Sequence, residues 1–190
     1  MKKIILIGAV ALFGAMNAQT KFGLKAGANL SSISNEEDSK AKFGFYAGAF
    51  ANIPIAETFS IQPEVLYNGK GVAYDGPGDA RMSLDYISVP VFFQYKATPQ
   101  FYLEAGPEFS FLISGKAKYD GESEDVKDYI SGFDFGIGLG AGYNFTPNFG
   151  ANIRYVAGVT DIVKDVEGFE NDESYRNGVF QLGLTYTFGN

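Results

Sequence analysis

The chain contains no cysteine and no histidine among its 190 residues. Without thiols there is no disulfide framework, no thiolate metal site and no lipid-anchored lipoprotein terminus. Without imidazole, a Ser–His dyad and histidine metal ligands are excluded, so catalysis would have to rest on carboxylates, Ser, Lys or Tyr. Ser83, Asp85, Ser110 and Ser114 form no catalytic motif, and the chain is read as a non-enzyme with no cofactor. Positive charge is in short supply: 15 basic residues face 22 acidic ones, a net charge of −7. Nucleic acid is therefore not an expected partner.

Long hydrophobic runs are also lacking after the first residues. The stretch Ile4 to Met16 follows Met1-Lys2-Lys3 and ends near Asn17-Ala18-Gln19, the three-part plan of a secretory signal peptide. It falls short of the ~20 residues that a membrane-spanning helix needs. The expected division is therefore a signal peptide over 1–18, cleaved after Ala18, and one domain over 19–190. With a mean hydropathy near zero, helical spans are excluded beyond this point. A β-barrel is not, because only alternate residues of its strands face lipid.

What the chain does have is alternation. From Lys21 to Leu30 one face reads Phe22, Leu24, Ala26, Ala28, Leu30 and the other Lys21, Gly23, Lys25, Gly27, Asn29. The same split recurs over Lys42 to Ile53, Phe59 to Tyr67, Ile87 to Tyr95, Phe101 to Phe111, Phe133 to Phe145, Phe149 to Val159 and Phe180 to Phe188, with Pro63 the awkward member because it lacks a ladder donor. Eight strands are expected. The connections around Pro54 to Thr58, Lys96 to Gln100 and Thr146 to Asn148 are short, and those around 32–41, 70–83, 115–131 and 161–176 are long. Tight turns at one end and long loops at the other, with an even strand count, fit an outer-membrane barrel with periplasmic turns and extracellular loops.

Period two alone does not say which face points out, since a soluble ligand-binding barrel of the lipocalin type has the same period. Side-chain size decides. Glycines 23, 27, 44, 48, 136, 138, 140, 142 and 183 crowd the polar face, and the narrow interior of an eight-stranded barrel suits them. Phe, Tyr, Ile and Leu then face lipid. Phe59, Tyr95, Phe101, Phe145, Phe149 and Phe188 mark the short-turn end. Tyr67, Tyr86, Phe111, Phe133 and Tyr155 mark or approach the other, bracketing an apolar band of roughly 20–25 Å.

These segments resemble the outer-membrane β-barrel family common in Bacteroidota, which includes porin-like and PorT-type proteins. The resemblance is carried by Phe22-Gly-Leu-Lys-Ala-Gly-Ala-Asn-Leu-Ser31, Phe43-Gly-Phe-Tyr-Ala-Gly48, Tyr86-Ile-Ser-Val-Pro90 with Tyr95, and Tyr102-Leu-Glu-Ala-Gly-Pro107. It implies insertion by the barrel-assembly machinery, with the terminal aromatic Phe188 as recognition signal, although Gly189 and Asn190 follow it. PorT-type resemblance further permits a place in a secretion or assembly machine.

Three features invite a site. Gly136-Ile-Gly-Leu-Gly-Ala-Gly142 looks like a phosphate-cradling loop, but its glycines keep strict period two within a strand and open onto no helix. If Phe145 pairs with Phe149 across the Thr146-Pro-Asn turn, Gly140 lies opposite Arg154 and makes room for its guanidinium. Lys25, Glu64, Glu104, Glu108, Asp134 and Arg154 share the inner face, where charges must pair because an isolated buried one costs several kcal/mol. Arg154 is expected to bond one or more of Glu64, Glu104 and Glu108, forming a structural polar plug. Most of the 22 carboxylates fall in the long loops; these are read as solvated, with capture of Ca²⁺ or Mg²⁺ as the alternative, though no loop has calcium-hand spacing. The expectation is a monomeric barrel held by outer-membrane lipid, without an open pore, meeting an envelope or extracellular partner through its acidic loops. A narrow porin and a soluble periplasmic ligand barrel are the other readings.

Overall fold

The computed structural model describes residues 20–35, 39–74, 80–163 and 174–189. The expected signal peptide, 1–18, lies outside the described residues. Nine strands follow in order: β1 (Lys21–Ile33), β2 (Ser39–Pro54), β3 (Phe59–Tyr74), β4 (Arg81–Lys96), β5 (Phe101–Tyr119), β6 (Glu122–Asp125), β7 (Phe133–Asn144), β8 (Phe149–Gly158) and β9 (Asn177–Thr187). Each of the long strands pairs antiparallel with its sequence neighbours, β5 with β7, and β1 with β9, which closes an eight-stranded up-and-down barrel. Closure leaves no unpaired strand edge within the wall, the condition for a sheet in hydrocarbon.

Burial follows the period-two pattern. Along β7, Ile137 and Leu139 are 52% and 65% exposed, while Asp134 is buried on the other face. The bulky face is therefore the outer one. The start of β1, the end of β9 and the turns after β2, β4 and β7 share one rim, where Phe59 stacks on Tyr95 and Phe149 on Tyr186 at centroid distances of 5.2 and 4.9 Å. Phe45 with Tyr67 and Phe111 with Phe133 form the aromatic belt nearer the other rim. Tyr86 does not belong to that belt: it is fully buried on the inner face of β4. Its even position gives it the inward parity of Leu84 and Ser88, so its place in the sequence near the belt misleads.

The inner face is not only small and charged. Tyr46, Phe50, Leu66, Phe92, Tyr102 and Val156 are buried there. The glycines make this possible: a Cβ at Gly142 would enter the Tyr102 ring, one at Gly138 the Phe92 ring, and one at Gly23 the Phe50 ring. Rings and bare backbone interlock across the barrel, filling a lumen that a row of medium-sized side chains would overfill.

Several expected loops are in fact wall. β3 runs seven residues past Tyr67, and β5 spans 19 residues. Between β5 and β6 the chain reverses through Asp120 and Gly121, with φ of 47° and 88° and Tyr119 paired with Glu122. A two-residue Asp-Gly reversal with both φ positive is the tight hairpin that matches strand twist. A 3-10 turn, Lys127–Tyr129, then leads back towards β7.

Candidate functional site: the lumen and the outer rim

Two layers of ion pairs fill the middle of the barrel. In the first, Arg154 on β8 donates from Nη1 and Nη2 to the two carboxylate oxygens of Glu64 on β3, at 3.0 and 2.9 Å, and from Nε to Glu104 Oε1 at 2.8 Å. Its guanidinium lies 3.7 Å from the centroid of the Phe92 ring. Lys25 donates to Glu64 at 2.7 Å, and Gln62 to the same oxygen at 2.9 Å, while Gln94 donates to Glu104 Oε2 at 3.0 Å. Two cations thus meet two carboxylates, each held by several hydrogen bonds. That is the only arrangement that offsets the desolvation of buried charge.

The second layer centres on Lys70. Its ammonium donates to Glu108 at 3.0 Å, to Ser110 at 3.2 Å and to Asp134 at 3.2 Å, and stands 5.0 Å from the centroid of the Tyr86 ring. Asn177 donates to Asp134 at 2.9 Å. All six inner-face charges expected from the sequence are buried here, but in two groups. Arg154 holds Glu64 and Glu104, whereas Glu108 goes to Lys70. Lys70 escapes a reading that ends β3 at Tyr67, yet it has the same inward parity as Glu64, Leu66 and Asn68; continuing the alternation three residues further finds it.

Gly140 does pair with Arg154. A Cβ there would meet the Ile153 carbonyl and then the Glu104 side chain, so the space it leaves receives the Glu104 carboxylate rather than the guanidinium.

Beyond Lys70 the lumen turns apolar. Ile33, Val72, Leu84, Tyr86 and Leu112 point inward from the strand extensions and pack with Ile130 and Ile162 from the connections. The connections are laced across the mouth: Ser131 N–H donates to Ile162 O at 2.7 Å and Ile162 N–H to Tyr175 O at 2.9 Å, with Ile130 bridged to Val163. Burial of these side chains closes the long-connection end with a second seal of different chemistry.

The loop acids divide. Asp161 accepts the Val163 and Tyr175 N–H groups, and Asp125 accepts that of Lys127, so these carboxylates shape backbone. Glu122 and Glu124 are exposed on β6, and among the described residues no group of three potential metal ligands comes together. Asp165, Glu167, Glu170, Asp172 and Glu173 lie outside the described residues. Of the rim residues considered for catalysis, Asp85 accepts the Tyr67 hydroxyl at 2.9 Å and Ser110 sits in the lumen with Lys70. At the other rim, Phe188 N–H donates to Phe22 O at 2.7 Å and its ring meets Tyr186 edge-on.

Residues 15–164 match a family model described as an outer membrane protein beta-barrel domain. Among solved structures, the chain is similar to Ail, the attachment invasion locus protein of Yersinia pestis, with a TM-score of 0.54 and 16% identity over 88% of this chain and 98% of that one. It is similar also to Neisserial surface protein A, with a TM-score of 0.58 and 16% identity over 88% and 97% of the two chains. At this identity the likeness is one of fold. No curated protein sequence matches the chain.

Proposed function

The chain belongs to the outer membrane protein beta-barrel domain family, and on that footing we propose that it is a non-conducting barrel whose work is done at its outer rim. The observation that carries this is the double seal: an ion-paired lumen in which Arg154, Lys25 and Lys70 are each about 1% exposed, capped by the Ile130–Ile162 plug. Ions crossing would have to break both. What remains accessible from outside is the collar of extended strands and the acidic connections. The protein then serves as a monomeric structural or interaction element, exported through its N-terminal leader and inserted with Phe188 as the assembly signal, and no catalytic role is proposed for it. The test is single-channel recording of the refolded protein in a planar bilayer, where the expected trace is flat; steady conductance steps from the unmodified chain would sink the reading.

The PorT-type resemblance supports a narrower version, in which the partner is a component of an envelope secretion or assembly machine. Co-purification with a loop-tagged barrel from its own envelope decides between that and a free-standing surface protein.

A further inference from the structure

The buried charges of the lumen do not balance. Among the described residues three cations, Lys25, Lys70 and Arg154, share it with four carboxylates, Glu64, Glu104, Glu108 and Asp134, and none of these side chains is more than 3% exposed. The Arg154 layer is neutral, with two charges of each sign. The surplus lies in the Lys70 layer, where one ammonium meets both Glu108 and Asp134.

Hydrogen bonding places that surplus on Glu108. Asp134 is provided for at both oxygens: Oδ2 accepts from Lys70 and Asn177, and Oδ1 from the Thr160 hydroxyl at 3.4 Å. In Glu108 every donor goes to Oε1, which accepts from Lys70 at 3.0 Å, Ser110 at 3.2 Å and Asn68 at 3.5 Å. Oε2 is buried and accepts no hydrogen bond from the described residues. A buried carboxylate oxygen with neither donor nor counter-charge is strongly disfavoured.

The same network holds further oxygens in that condition. Asn68 accepts from the Asn29 amide at 2.6 Å, and Asn29 faces Gln181 across the β1–β9 ladder. Asn29 Oδ1, Gln181 Oε1 and, beside Asp134, Asn177 Oδ1 are buried without a donor among the described residues. Water would satisfy such acceptors but bring no charge. A metal cation brings both, and hard cations take carboxylate and side-chain amide oxygens. The surplus of one unit fixes the valence, since a divalent ion would leave an excess of the opposite sign.

We propose that one monovalent cation of sodium's class is folded into the barrel beside Glu108 Oε2 and completes the Lys70 layer, the amide oxygens of this network supplying further ligands. The plug of Ile130 and Ile162 then shuts it in.

The full chain is refolded in detergent, and its unfolding by urea is followed as sodium chloride replaces N-methylglucamine chloride at constant ionic strength, the amine being too large to sit among packed side chains. Over concentrations that fill the site, the folded-to-unfolded ratio should rise roughly tenfold for each tenfold rise in sodium, the mark of one ion bound to the folded state alone. Glu108→Gln, which removes the surplus charge with little change of shape, should flatten that dependence. Glu122→Gln, on the exposed strand β6, should keep it. Gel filtration of the sodium-loaded barrel into sodium-free buffer, followed by atomic emission, should find the ion retained. A leaky lumen would lose it at this step while stability still tracked sodium, so failure of the seal and failure of the site read differently. Wild-type stability indifferent to sodium would overturn the proposal, as would an equal slope in Glu108→Gln. So would an infrared band of a protonated carboxyl that Glu108→Gln abolishes, which would put a proton in place of the metal. If Glu108→Gln does not fold, the wild-type sodium dependence decides alone.

Discussion

Arg154 and Glu64 face each other across the full width of the barrel and are joined by two parallel hydrogen bonds of 3.0 and 2.9 Å. Four strand steps separate β8 from β3 in either direction around the wall, so this single pair ties opposite staves together. Replacing Arg154 by Met leaves Glu64 and Glu104 with only Lys25 for charge compensation. The expected loss is about 3–5 kcal/mol, seen as a lower urea midpoint and a weaker heat-modified gel shift. Combining it with Glu64→Gln should cost less than the sum of the single changes, by about 1–3 kcal/mol.

The interlock of ring and glycine predicts a compensating pair. Gly142→Ala places a methyl group inside the Tyr102 ring and should destabilise the barrel by about 1–3 kcal/mol through overpacking. Adding Tyr102→Leu should recover most of that loss. Denaturant titration of the two variants and their combination checks it, and failure of the second change to rescue the first would mean the ring moves aside freely.

Two seals of different chemistry predict that neither alone controls leakage. Ile130→Asn with Ile162→Asn removes the apolar plug but leaves Arg154, Lys25 and Lys70 paired beneath, so conductance should stay at baseline. Adding Lys70→Ala, Glu108→Ala, Arg154→Ala and Glu64→Ala opens both ion-pair layers as well and should bring measurable ion flux, provided the folded fraction is first established by gel mobility. Planar-bilayer recordings of the three proteins read the result.

Phe188 is about half exposed, with its ring edge-on to Tyr186 and its N–H donating to Phe22 O. Phe188→Ser should therefore cost about 0.5–1.5 kcal/mol in refolding from urea and yet sharply lower the amount assembled in the outer membrane of living cells. Equal losses in both assays would mark it as an ordinary packing residue rather than an assembly signal.

The barrel was legible because its two faces differ at every second residue. Ile137 beside Gly138, or Leu139 beside Gly140, states the same inside–outside choice eight strands over, and glycine size selects the orientation. The inner aromatics are harder to see. Tyr46, Phe92 and Tyr102 sit at positions of inward parity, but their fit depends on a glycine one or more strands away, and that partner is a matter of register and shear rather than local pattern. Lys70, and the Asp120-Gly121 reversal, did carry local signals: parity continued past Tyr67 in one case, a two-residue positive-φ turn in the other. The plug had none. Ile130 and Ile162 stand in short apolar pairs, Tyr129-Ile130 and Ile162-Val163, amid polar residues and outside any period-two run, and only the closing of the barrel brings them together.

The length of β5 has a mechanical consequence. Nineteen residues tilted by about 45° rise roughly 45 Å, against an apolar band of about 25 Å, so hydrogen-bonded sheet stands some 20 Å proud of the bilayer. Whatever docks on that parapet meets a surface already frozen in shape, and little of the binding energy is lost in ordering it. Affinity there is governed by which side chains the parapet displays, and single replacements on it should act chiefly on how long a visitor stays.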